Sequence, residues 1–373
     1  MSGGTRTVRG VRTLSRRHLN RATLARQLLL GRAERTAADA IGHLVGVQAQ
    51  APLAPYVSLW SRLVDFRPAE LADLLTTGQA VRTTLMRATI HLVVAPDARP
   101  LHALLRPMLE RRFATSPYAR HLDGLDLTEV RRRALELLER EALTRPRLSE
   151  GLRQWWPDRD PASLAYAVTF AEPLVHMPPR GVWGRTGPVS YRPTGGWLSD
   201  STQDTPQSLD EMVLRYLGAF GPASVRDVQT WSGLTRLGEV VTRLRPGLVA
   251  FRDEGGVELF DLPDAPRPDP ETPSPPRFLA EYDNVLLSHA DRARVNPAGH
   301  QVPLLPGNGA NAGTFLLDGD FRGTWGLDRA EATLRIRPFS QVTRAEKTAL
   351  SGEAEGLMTF LTEGKGTIEV RTQ

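Results

Sequence analysis

Three times along this chain, helical periodicities come in sets and close on a short β-rich stretch, and that recurrence restricts the fold more than any other feature. In the first set, apolar residues at helical spacing cover 15–30, where Leu19, Ala22, Leu24, Leu28 and Leu29 recur behind Ser15 as candidate N-cap, then 36–47 with Ile41, Leu44 and Val45 inward, then 56–64. A short helix over 68–75 starts with Pro68 at its first position, and the β-branched stretch 84–94 reads as a strand. The second set has helices over 127–142, 148–156 and 162–171 and strand-forming runs at 174–177, 182–183 and 189–191. The third has helices over 209–219, 225–230 and 237–244, then runs at 248–251 and 257–260 across Asp253-Glu254-Gly255-Gly256, the turn chemistry of a β-hairpin. Three helices closing on a two-stranded ribbon make the winged form of the helix-turn-helix.

Seven prolines between 263 and 276 make a stiff, extended linker. Beyond it, strand-like runs at 278–287, 314–317, 323–327 and 332–336, a hairpin turn at Gly319 and Gly323, and a helix over 344–361 suggest a small β-rich, barrel-like domain. The expected class is therefore α+β: winged helices at 14–95, 126–197 and 207–262, a linker at 263–276, and a barrel-like domain with a C-terminal helix at 277–373. A length of 373 residues accommodates that many units.

Composition excludes several classes of function. With no cysteine there is no disulfide framework, thiolate metal site or thiol nucleophile. No apolar run approaches the roughly 18 residues of a membrane span, and the basic start lacks the apolar core of a secretory signal. The expected location is the cytoplasm. Charge is more informative. Only Lys347 and Lys365 are lysines among 47 basic residues. Residues 1–150 carry 24 arginines against 14 acids, whereas 151–373 carry 23 basic residues against 28 acids. A GC-rich genome favours arginine but does not segregate charge. Nine arginines against the single acid Glu34 between Arg6 and Arg35 are the footprint of a polyanion-binding face or of a solvated basic helix.

The common hydrolase, metalloprotease and nucleotide-binding fingerprints are missing. The run 307–313, although glycine-rich, lacks the Walker spacing and its lysine and reads as a turn. His289 and Asp291 beside Glu281 and Asp283 have the residue types of a metal or acid–base set, and equally those of a surface hydrogen-bond network. A continuous strand over 86–93 would put Arg87, Thr89 and His91 on one face, with His91 as a structural group. Gln48 and Gln50 have no titratable proton. Two residues apart on a helix they would not share a face, but Pro52 and Pro55 disfavour helix at Ala51 and Ala54, so 47–50 is expected at or just beyond a helix terminus, where both amides could converge.

The helix 19–30, Gly46-Val47-Gln48-Ala49-Gln50-Ala51-Pro52, the stretches 86–93 and 178–184, Glu281 to Arg292 and Asp318 to Trp325, taken in order, resemble the bacterial winged-helix DNA glycosylases of the azinomycin-resistance type. The resemblance covers nearly the whole chain. It implies tandem winged helices and a β-barrel around a DNA channel, with Gln48 and Gln50 as a catalytic Gln-x-Gln pair where other members carry Gln-x-Asp. It also implies duplex DNA with alkylated purines as partner, and a role in defence against DNA-alkylating natural products. DNA contacts are expected from Arg16 and Arg17 on the first helix and from Arg87, His91, Arg180 and Arg292. No metal, organic cofactor, membrane or second copy of the chain is expected. Two other readings use the same residues: a transcriptional regulator or drug-binding protein, and a metal-dependent nuclease using Asp283, His289 and Asp291.

Overall fold

In the computed structural model, which describes residues 11–198, 204, 207–303 and 312–371, Ser15 accepts from the His18 amide and caps the helix Arg16–Arg26. Thr36 does the same for Ala37–His43. That second helix stops short of its expected end because Val45 and Gly46 turn left-handed, with φ of 55° and 89°. A Cβ on Gly46 would stand 2.7 Å from Val93 Cγ1 and 2.9 Å from the Leu92 carbonyl oxygen. Only glycine lets the chain pass so close, and it enters strand β1 (Val47–Gln48) at once. The segment expected at or just beyond a helix terminus does follow one, and there it forms a sheet edge.

β1 lies outermost in a six-stranded sheet with β2 (Ala80–Thr84), β3 (Ile90–Val94), β4 (Leu143–Thr144), β5 (Leu174–His176) and β6 (Ser190–Pro193), ordered β1-β3-β2-β5-β6-β4. The expected single strand over 84–94 is instead a hairpin. Its turn, Met86–Ala88, is a 3₁₀ turn in which Arg87 and Ala88 have φ of 56° and 60°, so Arg87 sits at the reversal and shares no strand face with His91. Across β2 and β5 the pairs Arg82↔His176 and Thr83↔Val175 join the first and second helical sets in one sheet. The expected strand at 182–183 is a turn segment, held where Tyr56 Oη donates to the Gly181 carbonyl (2.9 Å) and accepts from the Trp183 amide (2.9 Å).

A 20-residue helix, Ala95–Ala114, has no counterpart in the sequence reading, because the interior prolines Pro100 and Pro107 argue against it. Burial overrides propensity here. Leu101, Leu105, Met108 and Leu109 join Met212, Tyr216 and Trp231 of the third helical set in the largest core cluster. That third set comprises Leu209–Phe220, Val225–Ser232 and Gly238–Leu244, the first two begun by capping boxes at Ser208/Glu211 and Ser224/Asp227. It ends in the hairpin β7 (Val249–Arg252) and β8 (Glu258–Asp261).

The C-terminal sheet runs β13-β12-β11-β10-β9, with β9 (Arg277–Leu279), β10 (Gly313–Leu317), β11 (Asp320–Asp328), β12 (Thr333–Pro338) and β13 (Thr367–Val370). It does not close into the expected barrel. Phe278, Phe315 and Leu317 face a core that includes Leu350, Leu357 and Met358 of the crossover helix Arg344–Thr362. The alternate residues Leu279, Leu316 and Phe321 face Leu24 and Leu29 on the other side. A sheet buried between helical layers has no apolar interior to close around. The hairpin turns at Asp318 and Gly319. Gly323 lies within β11, where a Cβ would come 2.4 Å from the Arg337 carbonyl oxygen. The glycine-rich run 307–313 lies mostly outside the described residues, among which no helix is long and apolar enough to cross a membrane.

Candidate active site

Gln48 pairs with His91 in the β1–β3 register, and the Ala49 amide donates to the Ile90 carbonyl (2.7 Å), so the backbone stays extended through Ala49. In extended backbone residues two apart point the same way, which a helix would not allow for this pair. Both amides are fixed through their carbonyl oxygens. Gln48, only 6% exposed, accepts from Arg87 Nη2 at 2.7 Å. Gln50 is exposed, and its Oε1 accepts from the Ile90 amide at 3.2 Å.

Arg87 is the organising cation. Nη1 donates to the Trp231 carbonyl (2.9 Å), and Nη2 also reaches Asn284 Oδ1 (3.2 Å). Asn284 Nδ2 in turn donates to the Gly46 carbonyl (3.2 Å), closing a ring of contacts through the backbone just before Gln48. Val45, Arg87, Ala88 and Tyr282 all hold positive φ around this ring. Such conformations each cost on the order of 1–3 kcal/mol and collect where geometry serves function.

The Arg87 guanidinium is drawn down to about 10, first by burial and then by the nearby Arg292, and so stays charged at neutral pH. Among the described residues no carboxylate pairs with it, and none pairs with Arg82, Arg180 or Arg292. Buried Arg82 donates to the Ala49 carbonyl between the two glutamines (2.9 Å). Half-buried Arg180 donates to the Gly187 carbonyl (3.2 Å), and Arg292 has no side-chain partner among the described residues. His91 is fully buried, which corrects its expected DNA contact: an enclosed ring has no surface to offer DNA. Burial, and then Arg87, push its pKa down to about 3, so it is neutral across the physiological range.

The arginines of the N-terminal helix stand differently. Arg16 pairs with Asp320 (2.7 Å), and Arg17 with Asp318 (2.7 Å) and Glu271 (3.3 Å). Arg21 also pairs with Asp318, and buried Arg26 with Asp261 (2.6 Å). Much of the charge asymmetry between the two parts of the sequence is therefore cancelled inside the molecule, and the expected DNA contacts Arg16 and Arg17 face acids of the protein itself. The nuclease set does not converge either. Asp283 is buried against Arg62 (2.8 Å), His289 is buried against the Phe220 carbonyl (3.0 Å), and exposed Asp291 accepts from the Ala293 amide (2.8 Å). No group of three or more His, Asp and Glu that could hold a metal ion occurs among the described residues.

An α+β scaffold that presents two fixed amides, a buried and neutral His91, and arginines without acids suits an enzyme acting on an already activated bond in a polyanion. Residues 41–360 match the family described as DNA glycosylase AlkZ-like, and the chain belongs to that family of DNA glycosylases. It is 25% identical over 365 residues to an interstrand DNA cross-link repair glycosylase of Streptomyces sahachiroi, covering 89% of this chain and 92% of that protein. Its fold matches the solved structure of the Streptomyces sahachiroi DNA glycosylase AlkZ with a TM-score of 0.71 and 20% identity, over 97% of this chain and all of the other.

Sequence reasoning missed Asn284, Trp231 and Arg82 as parts of the site. Asn284 lies in the 281–292 stretch that carries the resemblance, which is a usable signal. Trp231 takes part through its carbonyl, which no residue type reveals, and Arg82 acts through a backbone contact set only by strand order.

Proposed function

We propose that this protein hydrolyses the N-glycosidic bond of alkylated purines in duplex DNA. Its substrates are N7-guanine and N3-adenine adducts, including bulky ones and the interstrand crosslinks named for its Streptomyces sahachiroi relative, and its role is resistance to a DNA-alkylating antibiotic. The fixing of the Gln48 carbonyl on the edge strand and of the Gln50 carbonyl just beyond its end carries this reading. Alkylation puts positive charge on the base, so the bond from C1′ breaks with its electrons returning to the base, which leaves neutral. What remains is an oxocarbenium-like sugar. Each glutamine oxygen keeps a second lone pair; together they orient a water toward C1′ and turn negative dipole ends to the developing cation. Water adds, its proton passes to solvent, and an abasic site remains.

Arg87 positions Gln48. Arg180 and Arg292 meet phosphates, whose negative charge also offsets the uncompensated guanidinium groups beside the reacting sugar. The three helical sets at 14–95, 126–197 and 207–262 act as winged helices lining the DNA channel, in a monomer.

Single-turnover release of N7-methylguanine from duplex DNA, without added metal, tests this. The wild type should release the base at a rate nearly constant from pH 6 to 8, because neither amide titrates and His91 stays neutral. The Gln48→Ala/Gln50→Ala variant should be slower by at least about 10²–10³-fold while still binding duplex. A wild type that binds duplex but releases neither simple nor bulky adducts would return the glutamines to a structural role.

A further inference from the structure

Gln50 also lines a cavity of about 470 Å³ between the segment that follows it and the C-terminal sheet. One wall is aliphatic, with Leu53, Leu327 and Leu361. Another is the indole of Trp325, locked by its Nε1 donating to the Leu279 carbonyl (2.9 Å). A Cβ on Gly313 would come 2.2 Å from that ring, so glycine there is what allows the indole to lie flat against the strand. Glu281 lines the same space, half-buried, with no hydrogen bond or ion pair among the described residues. Burial alone raises its pKa above the ordinary carboxylate range. The contrast with Asp283, two residues on and fully paired with Arg62, shows that the chain supplies a cation where the fold needs one. Exposed Arg329 also lines the cavity but makes no ion pair with Glu281, so this partly desolvated carboxylate, in a largely apolar cavity of ligand size, is suited to a cation brought by a ligand.

We propose that this cavity is a subsite for the alkyl arm of the lesion, selecting adducts whose arm joins an apolar portion, packed against the aliphatic wall and the small exposed margin of Trp325, to a protonated amine facing Glu281. The proposal rests on the glycosylase reading above. It deepens that reading, since Gln50 belongs to both places and puts the arm within one residue of the bond that breaks. A small adduct leaves the subsite empty; a bulky one gains its contacts in addition to those at the sugar.

Three duplex substrates decide it: N7-methylguanine, an N7-guanine with a neutral aryl-alkyl arm, and the same arm carrying a protonated amine. For each variant, kcat/KM on the armed substrates is read as a ratio to N7-methylguanine. Glu281→Gln should lower the ratio for the amine-bearing arm about 10- to 100-fold, the range for losing a charge-assisted hydrogen bond, and should lower the neutral-arm ratio far less. Leu53→Trp, which fills the cavity, should lower both ratios; should it fail to fold, Glu281→Gln still decides. Unchanged ratios in the folded variants would overturn the subsite, whereas a wild type that fails to release N7-methylguanine would overturn the underlying glycosylase reading.

Discussion

Arg26 and Arg87 are both arginines held mostly out of water, yet they face opposite surroundings. Arg26 lies against the carboxylate of Asp261, with Arg267 completing the set at 2.5 Å, and neither Arg26 nor Asp261 is exposed. Arg87 meets only neutral acceptors, the Trp231 carbonyl, Gln48 and Asn284, with a second arginine close by. The first arrangement fastens the N-terminal helix to the hairpin and the linker. The second keeps positive charge beside the two glutamines with nothing in the described protein to cancel it. Arginine density along a sequence therefore does not locate a DNA surface. On the function proposed above, the arginines that meet DNA belong to the subset that the fold leaves without acids.

The largest effect expected from this division is on stability. Asp261→Ala strands two guanidinium groups, and breaking a buried pair costs about 3–5 kcal/mol, measurable as a lower denaturation midpoint in urea, with duplex affinity of the folded protein retained. A loss under about 1 kcal/mol would place Asp261 with the exposed surface pairs and blur the distinction. Next comes a kinetic effect at the other pole. Arg87→Lys keeps the charge, but an ammonium cannot span Gln48, the Trp231 carbonyl and Asn284 in one plane. Loosening Gln48 should slow single-turnover release by up to about 10²-fold with little change in duplex affinity. An unaltered rate would mean that Gln48 is held by its strand alone.

How much of this was legible in the sequence depends on the distance over which each feature is decided. Helices that begin at Ser15, Ser208, Ser224 and Thr343 carry their caps and periodicity within a few residues and begin where the pattern puts them, although the first ends at Arg26, short of its expected end at Leu30. The helix Ala95–Ala114 was not legible, since two interior prolines oppose it locally and only remote burial supports it. Strand-forming runs of the C-terminal domain could be read, but not their failure to close, which follows from helices covering both faces. Gln48 and Gln50 stood out through the resemblance. Their geometry did not, because it is set by pairing with His91, 43 residues away, through a left-handed turn at Val45 and Gly46. Arg16 and Arg17 show the same limit: their residue type is right for phosphate, and their partners lie some 300 positions on.

The most direct test of the division is the salt dependence of duplex binding, because each phosphate neutralised by an arginine contributes about 0.9 to the slope of log K against log salt. Arg180→Gln and Arg292→Gln should each reduce the magnitude of the slope by up to about that amount. Arg16→Gln and Arg17→Gln, whose charges are already met by Asp320 and Asp318, should leave it unchanged. A slope that falls with Arg16 and Arg17 but holds with Arg180 and Arg292 would contradict the division and move the DNA to the N-terminal helix.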